Sequence, residues 1–230
     1  MFGQQVAPTE YDFRFRCFGF PVRVTPWFWI VSAALWWSNK LDFTLVGVAA
    51  VFISILLHEL GHAFAVRYYG GRSEIVLHHF GGYATCPVNP SRLGHIVISA
   101  AGPAAGLSLW LVLELAIWQF PGFFARTNDL TRWFVVALLR VNGYWSLVNL
   151  LPIWPLDGGH IAHQVIGRFR TFDAWELTLK LSLLICAGMI AWCAAEFLQR
   201  DETDRYLVLF FGMLGFQNFQ ALQMSGRGRW

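Results

Sequence analysis

Hydrophobic and polar positions in this chain follow two regimes. Across residues 11–24, YDFRFRCFGFPVRV, aromatic or apolar side chains alternate with polar ones: Phe13, Phe15 and Cys17, then Val22 and Val24. A period of two predicts short strands on the membrane surface, with Gly19 and Pro21 at the turn between them; an amphipathic coil is an equal reading of so short a stretch. Beyond that the pattern is one of long apolar runs. Six are expected as spans, over about 24–39, 43–69, 93–119, 133–152, 175–197 and 206–223. A helix crosses a bilayer core with about 20 apolar residues, so the shorter runs sit at the lower limit. Trp27, Trp29, Trp36 and Trp37 suit an interfacial belt at the first of them. Between the second and third lies GGRSEIVLHHFGGYATCPVNPSR, with paired glycines and β-formers, too short and too polar to span. It is expected as a hairpin or re-entrant loop. Such backbone is tolerated at membrane depth only when protein or a wet cavity covers it, which makes the segment a candidate wall of a site; a plain surface loop is the other reading. The expected fold class is an all-α polytopic membrane protein of about six transmembrane helices with a short N-terminal β segment. It forms one domain over 1–230, with a core at about 11–165 and two further spans at about 175–223.

Composition supports a membrane solvent. Apolar residues make up 56% of the 230 residues and charged ones 13%, against roughly 25% charged in soluble domains; mean hydropathy is +0.47. A net charge of +3 with no polybasic run leaves no nucleic-acid footprint. Cys17, Cys86, Cys186 and Cys193 show no metal-binding spacing and are expected as free, buried thiols. The first sixteen residues are too polar for a signal-peptide core, so the chain's own spans are expected to target it. With six spans, the side holding both termini carries eleven Lys and Arg residues, among them Arg14, Arg16, Arg67, Arg72, Arg168 and Arg229. The other side carries Lys40, Arg126, Arg132, Arg200 and Arg205, while Arg140 stays inside a span. The asymmetry places both termini in the cytoplasm of a cell membrane, expected to be bacterial.

Candidate chemistry begins with His58-Glu59-Leu60-Gly61-His62 inside the second span. On a helix, residues four apart lie about 40° apart around the axis, one turn apart along it. Both imidazoles can then reach one tetrahedral zinc, with Glu59 close enough to act on a water at the metal. Ionisable groups inside an apolar span are costly and point to a function or a partner. A catalytic zinc usually takes three protein ligands. Asp157, in Pro155-Leu156-Asp157-Gly158-Gly159 after the fourth span, fits as the third, although a helix-capping or turn aspartate is an equal reading. Pro152 and Pro155 stop a helix, and the glycines let the chain turn and approach a metal closely.

HELGH together with Asn149-Leu150-Leu151-Pro152-Ile153-Trp154-Pro155-Leu156-Asp157-Gly158-Gly159 resembles the site-2 protease family of intramembrane zinc metalloproteases. Ala101-Gly102-Pro103 in the third span and the strand-like opening segment match the family as well; the resemblance covers about 11–165. It implies one zinc per chain held by His58, His62 and Asp157, with Glu59 as catalytic base. It places Asn149 beside the cleft, as a donor to the oxyanion or the substrate backbone or as a helix tie, and the Gly81-Gly82 loop near the substrate. The implied substrates are single-span membrane proteins in the bilayer, often regulators trimmed first by another protease. Gly106 departs from the asparagine often found there, and Trp154 is bulky enough to narrow access to a metal. His78 and His79 are expected to line the cleft or to be loop residues, His95 to be interfacial, and His160 to support Asp157 or lie exposed. Arg140, Asn142 and Glu114 are expected to pair inside the bundle. The alternatives are a proteolytically inactive relative that binds membrane helices as an adaptor, and a metal or proton transporter.

Overall fold

A computed structural model of the protein describes residues 6–79, 81–200 and 205–227. Arg229, used in the charge count, and Phe80, in the expected hairpin, lie outside them. The chain forms two compact units that divide between Val148 and Asn149.

The first unit opens on the alternating segment. Strands β1 (Phe13–Cys17) and β2 (Phe20–Val24) pair antiparallel, with Cys17 opposite Phe20. The two-residue loop holds Phe18 and Gly19 at φ 49° and 84°. Positive φ at both loop positions is the geometry whose twist matches a hairpin, and glycine adopts it at no steric cost. Pro21 is therefore not at the turn as expected. It sits inside β2, before Val22, the first residue that pairs with β3, where its missing N–H costs no bond to β3.

The segment between the second and third apolar runs supplies β3 (Ile75–His78) and β4 (Gly81–Ala84), an antiparallel hairpin. β3 joins β2 in parallel, giving one four-stranded sheet in the order β1-β2-β3-β4. A parallel pair needs a long crossover, here supplied by α1 (Pro26–Leu35) and α2 (Leu41–Tyr68). Phe20, Val22, Val24, Ile75 and Leu77 of the sheet pack with Phe28 of α1 and Ile55, Leu60 and Ala63 of α2 in one buried core. The sheet thus lies against the second half of α2, where the histidines stand. Arg67 secures that end: its guanidinium lies 3.6 Å from the Phe20 ring centre and donates to the carbonyl of Phe18. On the same sheet the buried Arg23 pairs with Asp12 at 2.9 Å and donates to the carbonyl of Val6.

α3 (Arg92–Gln119) follows, its amino end capped by the Ser91 hydroxyl, which accepts from the Gly94 amide. After α4 (Pro121–Arg126) comes α5 (Asp129–Asn149). α5 is tied to α2 by Trp133 Nε1 donating to the carbonyl of Phe43 and by Asn142 Nδ2 donating to Ser54 Oγ at 2.7 Å.

The second unit holds α6 (Asp157–Phe169), α7 (Ala174–Arg200) and α8 (Arg205–Arg227). Buried Leu179 and Cys186 of α7 and Phe211 and Leu214 of α8 form its apolar interior, with Gly215 set against Cys186.

Among the described residues, three helical stretches are long and apolar enough to cross a membrane: Leu41–Tyr68, Arg92–Gln119 and Ala174–Glu196. The protein is an integral membrane protein, mostly helical with a small N-terminal sheet. The first expected span is only the ten-residue α1, about 15 Å long, because β2 takes its opening residues. Among the described residues the expected bundle pairing is absent. Glu114 and Arg140 are both exposed, with no ion pair between them among the described residues, and Asn142 alone of the three is buried. All four cysteines are free, but Cys86 is exposed and Cys17 half-buried; only Cys186 and Cys193 are buried.

Candidate metal centre

The HELGH run lies wholly within α2, and its spacing puts His58 and His62 on one stripe a turn apart. His58, Glu59 and His62 are all buried, at 3%, 3% and 9% exposure. The His62 Nε2 and His58 Nε2 atoms face each other at 3.2 Å. His62 Nδ1 lies 2.7 Å from the carbonyl oxygen of Ile98 on α3. A carbonyl only accepts, so Nδ1 carries the hydrogen there and Nε2 keeps its lone pair for whatever lies between the two rings. Two nitrogens each about 2.0–2.1 Å from a tetrahedral zinc stand roughly 3.3 Å apart. The pair is thus already at the separation a shared zinc requires, and the Ile98 carbonyl orients one ring as a metal-binding histidine is normally oriented.

Three glycines make this packing possible. A Cβ on Gly61, inside HELGH, would overlap the carbonyl of Ala101, so α2 and α3 meet there backbone to backbone. A Cβ on Gly102 would overlap the His62 imidazole. Both members of Ala101-Gly102 are thereby accounted for: one carries the carbonyl that abuts α2, the other leaves room for the ring. On the opposite side, a Cβ on Gly82 of β4 would come within 2.7 Å of Glu59 Cγ and 2.9 Å of its Oε1. The backbone of the β4 edge strand therefore lies directly against the glutamate. Gly81 beside it has φ 121° and faces the Trp145 ring. Gly106 also gains a reason, since the Ser146 hydroxyl occupies the space a side chain would need.

The remaining expected site residues are carried by other elements. Asn149 is buried at the end of α5. Asp157 is half-buried in the first turn of α6, in the second unit. Gly158 and Gly159 let the chain turn tightly, as expected of them. A Cβ on Gly158 would overlap the carbonyls of Leu150 and Leu151, and one on Gly159 would meet the Ile153 carbonyl at 2.5 Å. The pair lets α6 start folded back on its own preceding turn. His78 packs against the rings of His79 and Tyr83. Burial, aided by the positive charges of His79 and Arg23, lowers its pKa from 6.5 to about 4. Trp154 packs against His160, with ring centres 4.1 Å apart and tilted, and meets Trp175 edge-on within the second unit. Three features stood outside the sequence reading: the Ile98 carbonyl, the Ser54–Asn142 tie and the polar residues of α7 and α8. The first is a backbone group. The others are single Ser, Thr and Asn residues in apolar runs, whose presence there was the available signal.

A long-helix membrane protein with a buried histidine pair and an adjoining glutamate on one span belongs to the class of membrane metal-site proteins. The comparisons with known proteins narrow this. No protein-family profile matches the chain. It is 27% identical over 179 residues to stage IV sporulation protein FB of Bacillus subtilis, covering 74% of this chain and 57% of that one. It is 31% identical over 160 residues to a zinc metalloprotease of Methanocaldococcus jannaschii, covering 67% of this chain and 45% of that one. In structure it matches the site-2 protease from M. jannaschii with a TM-score of 0.59 at 23% identity, covering 92% of this chain and 95% of that chain. The chain is a relative of these two proteins, one of them a zinc metalloprotease, and has the site-2 protease fold. It spans about half the length of the curated relatives it matches.

Proposed function

We propose that this chain is an intramembrane zinc metalloprotease that hydrolyses peptide bonds within or beside the transmembrane segments of single-span regulatory proteins, with the core at residues 11–165. The observation that carries this is the His58–His62 pair, with Nε2 atoms 3.2 Å apart and the buried Glu59 between them in sequence. Similarity to proteins named as zinc metalloproteases supports it.

In this reading His58 and His62 hold zinc through Nε2, and Asp157 adds an oxygen ligand. Two imidazoles and one carboxylate are a donor set of the kind that holds a catalytic zinc. When bound, zinc supplies a positive charge that polarises a carbonyl and acidifies a water. Glu59 takes the proton from the attacking water as its oxygen adds to the scissile carbonyl carbon. As the C–N bond breaks, Glu59 returns that proton to the leaving nitrogen. Asn149 donates a hydrogen bond to the oxyanion or the substrate backbone, and the Gly81–Gly82 backbone, lying against Glu59, flanks the substrate. An intact substrate helix hides its carbonyls in its own hydrogen bonds, so the cut segment unwinds before it is cleaved. The proposal extends to six spans with both termini cytoplasmic in a bacterial membrane, the β3–β4 hairpin re-entrant, and an upstream protease acting first on the same substrate.

Glu59→Gln tests the reading. Glutamine keeps the shape and cannot accept the proton, so cleavage of a single-span substrate should fall by about 10²–10⁴ while zinc content holds. Cleavage at the wild-type rate would make the glutamate structural and leave only a metal site.

A further inference from the structure

Pro152 to Leu156, the turn that delivers Asp157, contains no regular element, yet Asp157 must be held to within fractions of an ångström if it is to serve a metal. Its own local bonds are few: Ile153 N donates to the Leu151 carbonyl and Leu156 N to the Ile153 carbonyl. The remaining backbone groups at its centre belong to Trp154, and both are taken by side chains from far along the sequence. The Trp154 amide donates to Ser182 Oγ of α7 at 2.9 Å. The Trp154 carbonyl accepts from Asn218 Nδ2 of α8 at 2.6 Å. Ser182 is 0% and Asn218 1% exposed.

Each clamp residue is itself fixed. Ser182 Oγ donates to the Thr178 carbonyl one turn back, which leaves its lone pairs for the Trp154 amide. Asn218 Nδ2 also donates to the Leu214 carbonyl at 2.8 Å. Both of its partners are carbonyls, so the amide orientation is forced. The Trp154 indole adds a side-chain lock, packed between His160 and Trp175. Helices that served only to anchor the chain in lipid would have no need of polar side chains aimed at one backbone residue, because buried polar groups are costly unless bonded.

We propose that Ser182 and Asn218 are positioning residues for the candidate metal ligand Asp157: α7 and α8 clamp the Trp154 peptide and so set the start of α6. The inference rests on the reading of Asp157 as a zinc ligand. It gives the last two long helices, outside the motif-bearing core, a part in the chemistry.

The test uses the full chain purified in detergent with its zinc, compared as wild type, Ser182→Ala, Asn218→Leu, Ser182→Thr, Phe211→Leu and Asp157→Ala. Zinc release to a chelator and thermal unfolding are measured on each preparation. Loss of an outer support to a metal ligand typically costs 10–100-fold in metal affinity. Ser182→Ala and Asn218→Leu should therefore release zinc at least about tenfold faster at a temperature where both remain folded. Ser182→Thr, which keeps the hydroxyl, should hold zinc like wild type. Phe211→Leu, which loosens buried packing of α8 away from Trp154, should lower the melting temperature without speeding release. If Asp157→Ala loses zinc while Ser182→Ala and Asn218→Leu retain it as wild type does, the clamp proposal is overturned and the ligand reading stands. If release tracks melting temperature across all variants, Phe211→Leu included, the two residues are merely structural and the proposal also fails. Full zinc in Asp157→Ala would instead overturn the ligand reading on which the proposal rests.

Discussion

His62 has one ring nitrogen on the Ile98 carbonyl, the other facing His58, and its ring against Gly102. Gly102→Ala puts a methyl group into the volume of the imidazole, and forcing extra atoms into packed interiors costs about 1–3 kcal/mol. The expected result is a displaced ring and a substoichiometric zinc content in a protein that still inserts and folds, read by metal analysis alongside a melting curve. Asn149→Ala should behave differently, lowering turnover while zinc stays full, because it is assigned to substrate and not to metal. His78 sets a pH dependence away from the centre. Its folded pKa of about 4 lies below the ordinary 6.5, so between those values the unfolded chain binds a proton that the native one does not. Stability should therefore rise with pH through that window and be lost as pH falls through it. His78→Gln should flatten the loss, and an unchanged acid profile in the variant would rule His78 out as its source.

At the level of elements, the meeting of α2 with α3 decides whether a centre forms. Gly61 leaves no room for a side chain against the Ala101 carbonyl, and backbone, unlike a flexible side chain, cannot step aside. Gly61→Leu should separate the two helices and remove the Ile98 bond to His62, with loss of zinc and a lowered melting temperature together. Asn142→Leu, which breaks the tie to Ser54 one turn before His58, should destabilise by about 1–3 kcal/mol with zinc largely retained, since Ser54 still bonds the Ala50 carbonyl. The long helices α2 and α3 were legible in sequence to within a few residues because their apolar runs have no other solution. α6 was not, since two prolines and two glycines before and at its start read as turn signals. They do serve a turn, but that a helix starts there, folded back on its own entry, is visible only in space. The strands were legible as strands, but the parallel β2–β3 pair was not, because about fifty residues separate partners that share no local pattern.

For the whole molecule, three described helices are long and apolar enough to cross a membrane, and the six-span arrangement with cytoplasmic termini makes a direct prediction. Tags at both termini should be protected from an external reagent in intact cells. A cysteine placed near Asp201, which lies outside the described residues, or at the exposed Asn128, should be labelled. Labelled termini with a protected Asn128→Cys would reverse the orientation; labelling of all of them would overturn the span count.

By itself the sequence determined the solvent, the helix that bears the histidines and the donor types available, because these depend on composition, apolar length and a spacing of four along one helix. It also singled out Gly61, Gly102 and Gly82 within its motifs and segments without saying what each one makes room for. The tertiary structure alone decided that the β4 backbone abuts Glu59, that an α3 carbonyl orients His62, and that α7 and α8 grip Trp154. Those contacts join residues 23 to 64 positions apart, and nothing in a local pattern encodes which buried donor will meet which distant acceptor. Only the packing that brings the elements together does so, because it decides which distant acceptors come within reach of each buried donor.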